Sequence, residues 1–320
     1  MEMDPSRFFA SSRVLIVAGK GGVGKTVSAA TIATAASRAG RSVLLVEIAG
    51  RSATAPMFGV EPQGYEEVVA IHEADGDDGP IGRVGLRSIT PDGALVEWLS
   101  THGFNRIVNR FAASGLLEVV ATATPGIKDL LVLGRIKALE QEGVADLIVV
   151  DAPAAGHAVG FLRSPVGVRD AARTGTLHRQ AVEVLELIGD PERCRVMLVT
   201  IPEETPANEV VETSFAIEDE AGVQLGPVIV NGVLPTLTGL DADLTPLGRT
   251  DAEQAALATA ATFRRRRTAL QDAQFARLDD RLPLEQLRLP QLFGTVMGPS
   301  EIDELATRLL AEIRDLPELP

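Results

Sequence analysis

Cysteine is almost absent from this sequence of 320 residues, because Cys194 is its single example. One cysteine cannot form an internal disulfide, a four-cysteine zinc site or a CxxC redox pair. We therefore expect a reducing, cytoplasmic location. Cys194 itself precedes a predicted strand, where a small buried hydrophobic residue is its expected role.

Basic residues are also scarce, since 30 Lys and Arg face 44 Asp and Glu and give a net charge of −14. Proteins that coat nucleic acid need an excess of basic side chains, so the sequence argues against nucleic acid as a partner. No stretch approaches 18 uninterrupted apolar residues, which argues against stable membrane insertion. The first residues lack the basic and apolar segments of a signal peptide.

Short apolar runs alternate with helical patterns along the chain. The candidate strands are 13–18, 42–48, 83–89, 146–150, 195–201, 227–231 and 289–293. The candidate helices are 26–38, 127–141, 176–188, 207–221 and 300–314, the last with Ser300 as its N-cap. Such alternation predicts an α/β fold with three layers and a mostly parallel sheet.

Three stretches lack strand signals, at about residues 90–124, 165–190 and 240–282. We expect them to gather into a compact helical subdomain on the sheet. No repeat or long linker divides the chain, so residues 1–320 are expected to form a single domain. The third stretch contains Arg264–Arg267, which we interpret as a solvated helix face near Asp272, Asp279 and Asp280 rather than a polyanion site.

A glycine-rich loop follows the first predicted strand and precedes the first predicted long helix. Its residues are Gly19, Lys20, Gly21, Gly22, Val23, Gly24, Lys25 and Thr26. They fit the phosphate-loop pattern G-x-x-x-x-G-K-[ST] in full, in the context that the pattern requires. Glycines let backbone N–H groups turn towards phosphate oxygens, and the helix N-terminus adds partial positive charge. Lys25 can reach the β- and γ-phosphates, and the Thr26 hydroxyl can bind Mg²⁺.

Asp151 ends the strand candidate at 146–150 and begins the sequence DAPAAGH. A carboxylate at this end of a parallel strand, beside a phosphate loop, usually holds Mg²⁺-bound water. A helix N-cap without a metal role is the alternative. Lys20 is either an idle loop residue or a lysine that reaches a partner's nucleotide. His157 either senses the γ-phosphate or packs under the loop.

The loop KGGVGKT resembles that of the deviant-Walker ATPases. The sequence DAPAAGH at 151–157 resembles the D-T-A-P-T-G-H switch of one branch, which holds the arsenite-efflux-pump ATPase and the tail-anchored-protein-targeting ATPase. The similarity extends to 125–129 (PGIKD), 201–203 (IPE), 230–231 (VN) and, weakly, 289–305. It implies a P-loop NTPase fold and an ATPase switch that uses ATP and Mg²⁺ and couples nucleotide state to an unknown protein cargo.

The same resemblance implies a nucleotide-sandwich dimer that closes with ATP and is reset by hydrolysis to ADP. The residues implied in catalysis are Lys20, which would act across the interface, Lys25 and Asp151. Thr26 and Asp151 would hold Mg²⁺. Asn231 would recognise adenine, and Pro202 and Glu203 would belong to the adjoining Pro-Glu loop.

Three features depart from the family pattern. Ala49 stands where the family carries an aspartate that orients the attacking water, and Glu47 is the neighbouring carboxylate. Hydrolysis is therefore expected to be slow, or the water to be positioned otherwise. One cysteine excludes the metalloid site and the bridging zinc of relatives. Five methionines argue against a groove for hydrophobic cargo helices.

A homodimer and a heterodimer with a paralogue are both open on these residues. One alternative function is a regulatory subunit that binds ATP, hydrolyses it weakly and pairs with a more active paralogue. Another is an ATPase that positions a chromosome or a septum. That function needs a basic surface or a terminal amphipathic helix, whereas the amphipathic segment at 302–316 is acidic and would repel anionic lipid.

Overall fold

A computed structural model of the chain describes residues 2–48, 53–61, 65, 68–71, 74–76, 79–101, 126–242, 247–248, 250–294 and 296–317. The strands are β1 (Val14–Gly19), β2 (Val43–Ile48), β3 (Val68–Ile71), β4 (Ala74–Gly76), β5 (Gly79–Ile81), β6 (Val84–Ile89), β7 (Leu147–Ala154), β8 (Cys194–Thr200), β9 (Val228–Val233) and β10 (Gln286–Pro290). The helices are α1 (Pro5–Phe9), α2 (Lys25–Arg38), α3 (Pro91–Thr101), α4 (Ile127–Glu142), α5 (Ala155–Ala171), α6 (Thr176–Ile188), α7 (Glu204–Ala216), α8 (Asp251–Arg281) and α9 (Pro299–Arg314). A 3₁₀ turn spans Ala55–Phe58, and a π-helical turn spans Ile217–Ala221.

Eight strands form one sheet in the order β10-β9-β8-β1-β7-β2-β6-β3. All neighbouring pairs are parallel except β3 and β6, which are antiparallel. Strands β4 and β5 form a separate hairpin. The predicted mostly parallel sheet is confirmed. Its parallel strands all end at one edge, which brings the loops after β1, β7, β8 and β9 together.

The central strand β1 is buried on both faces, as its uninterrupted apolar sequence predicts. Val14, Ile16 and Ala18 face one hydrophobic core, whereas Leu15 and Val17 face the other. This alternation follows from the two-residue period of a strand. Strand β1 therefore packs against helices on both faces of the sheet.

The two helical layers differ in composition. Helices α1, α2 and α9 cover one face of the sheet, and α4, α5, α6 and α7 contribute to the core on the other. Helix α2 is rich in small residues, and its positions 28–37 are all buried. Small side chains let this helix lie close to the sheet, so the phosphate loop at its start is held by packing along the whole helix.

Helices occupy most of the described parts of the three stretches that lack strand signals. They are α3, the C-terminal part of α5 with Pro165 inside it, α6, and the 31-residue helix α8. Residues 102–124 of the first stretch lie outside the described residues. Helix α8 begins with a capping box in which Thr250 and Glu253 each bind the other's backbone N–H. The single domain and its helical subdomain stay predictions.

Three predicted boundaries are wrong. The last strand is Gln286–Pro290 rather than 289–293, because its buried Leu287 and Leu289 alternate with more exposed residues. The last helix begins at Pro299, so Ser300 is not its N-cap. Proline suits the first helical position, and Glu301 accepts a hydrogen bond from the Gly298 N–H (3.0 Å). The helix predicted at 207–221 is α7 followed by the π-helical turn.

Within the described ranges, each helix is too short or too polar to cross a lipid bilayer. Cys194 lies fully buried at the start of β8, and burial raises the pKa of its thiol to about 12. A thiol that stays protonated and out of reach of solvent is a packing residue, as the sequence predicts.

Candidate functional site

The glycine-rich loop joins the end of β1 to the start of α2, at the carboxyl edge of the sheet. Gly19 ends β1 beside Val199 of β8, and a Cβ added there would lie 2.3 Å from the Val199 carbonyl oxygen. Gly24 caps α2 with φ +90°, where a Cβ would lie 2.2 Å from the Asn231 side-chain nitrogen. Both positions therefore require glycine, one for a close strand approach and one for a left-handed backbone.

The first turn of α2 and strand β7 bring a hydroxyl and a carboxylate together. Thr26 Oγ1 donates a hydrogen bond to Asp151 Oδ2 at 2.7 Å, although the two residues are 125 positions apart. The prediction that Asp151 ends its strand is wrong, because β7 continues to Ala154. The hydrogen bond thus joins β7 to the first turn of α2.

The Asp151 carboxylate is buried and incompletely satisfied. It is 8% exposed, and its Oδ1 accepts no hydrogen bond from the described part of the chain. Burial raises the pKa of Asp151 to about 6, the Thr26 hydrogen bond and the Lys25 charge lower it, and the Glu47 carboxylate raises it further. A buried oxygen without a donor, beside a hydroxyl, fits a hard cation such as Mg²⁺, which takes oxygen ligands.

Lys25 lies in the first turn of α2 and points back over its own loop. Its Nζ donates a hydrogen bond to the Lys20 carbonyl oxygen at 3.0 Å. Burial lowers the pKa of the Lys25 ammonium, and the Asp151 charge opposes that shift. The ammonium therefore lies between the loop backbone and a carboxylate. An anionic ligand there would stabilise the charged form of Lys25.

Lys20 is partnered within its own chain, which no local sequence pattern indicates. Its ammonium forms an ion pair with Glu209 of α7. The Lys20 side chain is 45% exposed and that of Glu209 is 35% exposed. Glu209 is the main residue of this site that the sequence analysis missed.

Asn231 lies within β9, next to the phosphate loop. Its side-chain nitrogen donates a hydrogen bond to the Val23 carbonyl oxygen at 3.0 Å. The predicted adenine residue is therefore in contact with the loop that would bind the phosphates.

Pro202 and Glu203 lie farther along the same edge, in the turn between β8 and α7. They line a pocket that opens near the end of β9, together with Ile201, Gly232, Leu234, Arg267, Gln271 and Gln291. Glu203 forms an ion pair with Arg267 of α8 at 3.0 Å. Gln271 is buried and accepts a hydrogen bond from the Leu234 N–H at 2.8 Å. The Glu203–Arg267 ion pair thus links the Pro-Glu turn to α8 at this pocket.

The arginine run on α8 is not free surface, because three of its members hold neighbouring loops. Arg264 donates to the Pro235 carbonyl oxygen, Arg265 pairs with Asp241, and Arg267 pairs with Glu203. Arg265 also donates a hydrogen bond to Thr262 of the same helix, and the bonds shown for the run do not involve Asp272, Asp279 or Asp280. The favoured interpretation as a solvated face is therefore incomplete.

Glu47 is a second buried carboxylate at this edge, since β2 pairs with β7 and places Glu47 opposite Asp151. It is 5% exposed. Its oxygens accept hydrogen bonds from the Ala53 N–H, the Thr54 N–H and the Thr54 hydroxyl, each at 3.1 Å. Glu47 therefore anchors the segment that follows β2. Ala49, the position predicted to lack the water-orienting carboxylate, lies outside the described residues.

His157 lies in the first turn of α5 and is exposed. The interpretation that it packs under the switch loop is therefore wrong. Its charge acts on Asp129 of α4, whose carboxyl pKa is raised by burial and lowered by His157. The alternative role as a γ-phosphate sensor stays a prediction.

Comparison with known proteins gives a consistent result. The model of the CobQ/CobB/MinD/ParA nucleotide binding domain family matches residues 14–189. The ATPase BagA of Mycobacterium tuberculosis is 35% identical over 286 residues, which cover 86% of this chain and 79% of that protein. A candidate arsenical pump-driving ATPase of Halobacterium salinarum is 25% identical over 244 residues, which cover 70% and 36% of the two chains. The ATPase get3 of Neurospora crassa is 29% identical over 160 residues, which cover 48% and 43%.

Proposed function

Because this chain belongs to the CobQ/CobB/MinD/ParA family of nucleotide-binding P-loop ATPases, we propose that it binds ATP with Mg²⁺ and uses the nucleotide state to open and close a dimer. The observation that carries the first half is the buried Asp151 carboxylate. It has one oxygen on the Thr26 hydroxyl and the other without a donor in the described chain. The predicted resemblance to the arsenite-pump and tail-anchored-protein-targeting ATPases agrees with the relatives found, which include an arsenical pump-driving ATPase and the ATPase get3.

Thr26 and Asp151 are the residues that would hold Mg²⁺. When bound, this ion neutralises phosphate charge and orients the phosphate oxygens. Loss of the Asp151 proton at neutral pH would be favoured by an adjacent cation, which reverses the effect of burial on its pKa. The protein's contribution is therefore a preformed carboxylate and hydroxyl at the mouth of the loop.

Lys25 and the loop backbone supply the phosphate contacts in this proposal. Lys25 already stands over its loop and needs only to exchange the Lys20 carbonyl for phosphate oxygens. Backbone N–H groups at the start of α2 and the helix dipole favour the same anion. Adenine would lie against Asn231, with the Pro-Glu turn at 202–203 beside it.

The dimer and its cargo rest on the resemblance of the loop and switch sequences. In the closed dimer, Lys20 would contact the γ-phosphate held by the partner, which is either a second copy or a paralogue. Cargo would be a protein, and nothing in the described residues favours one identity for it. The chain's net charge of −14 makes nucleic acid an unsuitable partner.

A second candidate function is the regulatory subunit with weak hydrolysis. Glu47 favours it, because its two oxygens are already engaged by the segment at 53–54. A carboxylate that accepts three hydrogen bonds is a poor base for a water molecule. To accept a proton from water, Glu47 would have to give up bonds to the residue 53–54 donors and leave them unpaired. Glu47 therefore does not replace the aspartate that is missing at position 49.

Assembly and turnover together test this proposal. We would measure molar mass by light scattering with ATP or ADP, and hydrolysis per chain, for the wild type and Lys20→Ala. The proposal expects ATP to favour a dimer, and Lys20→Ala to lower turnover while ADP affinity is retained. Full turnover by a dilute monomer would refute the role of Lys20 across an interface. A dimer only with an added paralogue would establish the heterodimer.

A further inference from the structure

An ion pair ties the phosphate loop to helix α7. Lys20 reaches Glu209 although 189 positions separate them, because the loop after β1 and the helix after β8 leave neighbouring strands at the same edge. The pair lines a small pocket between the phosphate loop, β8 and α7. It gives Lys20 a partner in its own chain, and this is the same lysine that the proposed dimer would use on the partner's nucleotide.

Lys20 is the side chain that neutralises the charge of Glu209. One carboxylate oxygen, Oε1, holds the Lys20 ammonium. The other, Oε2, is buried and accepts no hydrogen bond from the described part of the chain. The walls around the pair are mainly apolar or backbone, from Gly19, Val23, Val199 and Pro206. Burial of one carboxylate oxygen without a donor disfavours the charged form of Glu209, so that charge is stabilised mainly by the cation beside it.

Lys20, rather than Glu209, is the member of the pair that can move. Glu209 lies in the middle of α7, with Val210 buried beside it in the core and Ala207 buried two residues before it. The Glu209 carbonyl oxygen accepts a hydrogen bond from Thr213 Oγ1 at 2.7 Å, which adds to the regular helix. Lys20 stands on a glycine-rich loop and has a flexible four-carbon stem.

We propose that Glu209 is a positioning residue, which holds Lys20 on its own chain in the nucleotide-free state and releases it when the dimer closes. The release part rests on the proposed function, because it needs a phosphate across an interface. A triphosphate carries more negative charge than one carboxylate, so it can draw the lysine away. Glu209 then sets how much ATP is needed for closure and keeps Lys20 from engaging without it.

The chain offers a clean probe, since it has only four lysines: Lys20, Lys25, Lys128 and Lys137. We would treat the nucleotide-free protein with limiting sulfo-NHS-acetate and measure acetylation of Lys20 relative to Lys128 by peptide mass spectrometry. Glu209→Gln should raise this ratio by about two- to fivefold, as expected for a half-exposed ion pair. Glu209→Asp should give an intermediate ratio, because the charge remains on a shorter stem.

Glu212→Gln is the matched control, since Glu212 is an exposed carboxylate on the same helix. It should leave the Lys20 ratio at the wild-type value, and equal melting curves would show that all variants are folded. An unchanged Lys20 ratio in Glu209→Gln would overturn the proposal. So would an equal rise in Glu212→Gln, because the effect would then be one of general charge.

A nonhydrolysable ATP analogue with Mg²⁺ separates this proposal from the dimer itself. The analogue concentration that half-protects Lys20 should fall by about two- to fivefold in Glu209→Gln, because no ion pair has to be broken. An equal or higher midpoint would overturn the release step. If Lys25 is protected while Lys20 stays reactive in both proteins, the proposed dimer fails. The nucleotide-free comparison alone then decides whether Glu209 holds Lys20.

Discussion

Thr26 Oγ1 donates a 2.7 Å hydrogen bond to Asp151 Oδ2, which joins the start of α2 to β7, the strand that lies between β1 and β2. This contact sets the chemistry of the site. Asp151 Oδ1 stays buried without a donor in the described chain, and burial raises the carboxyl pKa to about 6 although the Thr26 hydrogen bond lowers it. A buried carboxylate oxygen without a donor, beside a hydroxyl, suits a hard cation such as Mg²⁺.

Lys25→Ala should weaken ATP binding at least tenfold. The change removes the cation that faces the β- and γ-phosphates, and charge-assisted contacts are worth about 1.5–3 kcal/mol each. Titration with a fluorescent ATP analogue measures the effect. Lys128→Ala is the control, because Lys128 pairs with Asp92 on the surface. Equal affinity of Lys25→Ala and the wild type would remove Lys25 from the site.

The stability of the nucleotide-free chain should fall between pH 4 and pH 7 through Asp151. Its pKa rises from 3.8 in the unfolded chain to about 6 in the folded chain, so the folded chain holds this proton more tightly. The resulting stabilisation is complete below pH 4 and is lost as the pH rises through 6. It amounts to up to about 3 kcal/mol in the free energy of unfolding.

Urea unfolding of the wild type and Asp151→Asn at pH 4.5 and pH 7 measures this loss. The variant lacks the titrating group, so its stability should change less between the two pH values and exceed that of the wild type at pH 7. Identical pH dependence in both proteins would show that Asp151 already ionises with an ordinary pKa.

Asn231→Ala should reduce the preference for ATP over GTP by about two- to tenfold, because one neutral hydrogen bond to the base is worth about 0.5–1.5 kcal/mol. Affinity for pyrophosphate should be unchanged, since the loop amides and Lys25 remain. Competition titrations with the three ligands measure both quantities. A matching loss of pyrophosphate affinity would mean that Asn231 acts by holding the Val23 carbonyl of the loop.

Ala49→Asp should raise single-turnover hydrolysis by about 10²–10⁴-fold without strengthening ATP binding. A positioned carboxylate contributes through water orientation and proton transfer, whereas phosphate affinity comes from the loop and Mg²⁺. Glu47→Gln provides the contrast, because Glu47 is engaged with residues 53 and 54. Fast hydrolysis in the wild type that Glu47→Gln abolishes would make Glu47 the catalytic carboxylate.

Local patterns predicted the sheet and the phosphate loop because their signals lie within a few residues. The run at 14–19 is apolar on both faces, and the loop at 19–26 carries its glycines, lysine and threonine in sequence order. The alternation of strands and helices then fixes which loops meet at the carboxyl edge. Asp151 follows from this pattern, whereas Asn231 follows only from the resemblance of residues 230–231 to the family sequence.

Pairs that depend on side-chain packing across the fold could not be predicted in the same way. Lys20 and Glu209 have no common motif, and neither do Glu203 and Arg267. Their partners follow from how α7 and α8 lie on the sheet. The shifted boundaries of β10 and α9 have a local cause, because the alternation at 286–290 and the proline at 299 outweigh the apolar run and Ser300.

Calorimetric titration of ATP in the presence of Mg²⁺ or EDTA tests the central claim most directly. In the wild type and in the surface control Asp92→Asn, Mg²⁺ should strengthen ATP binding. In Asp151→Asn, that gain should shrink at least tenfold, because the charged oxygen that accepts the cation is gone. An Asp151→Asn protein that keeps the full gain from Mg²⁺ would contradict the assignment of Asp151 and Thr26 as the site of the ion.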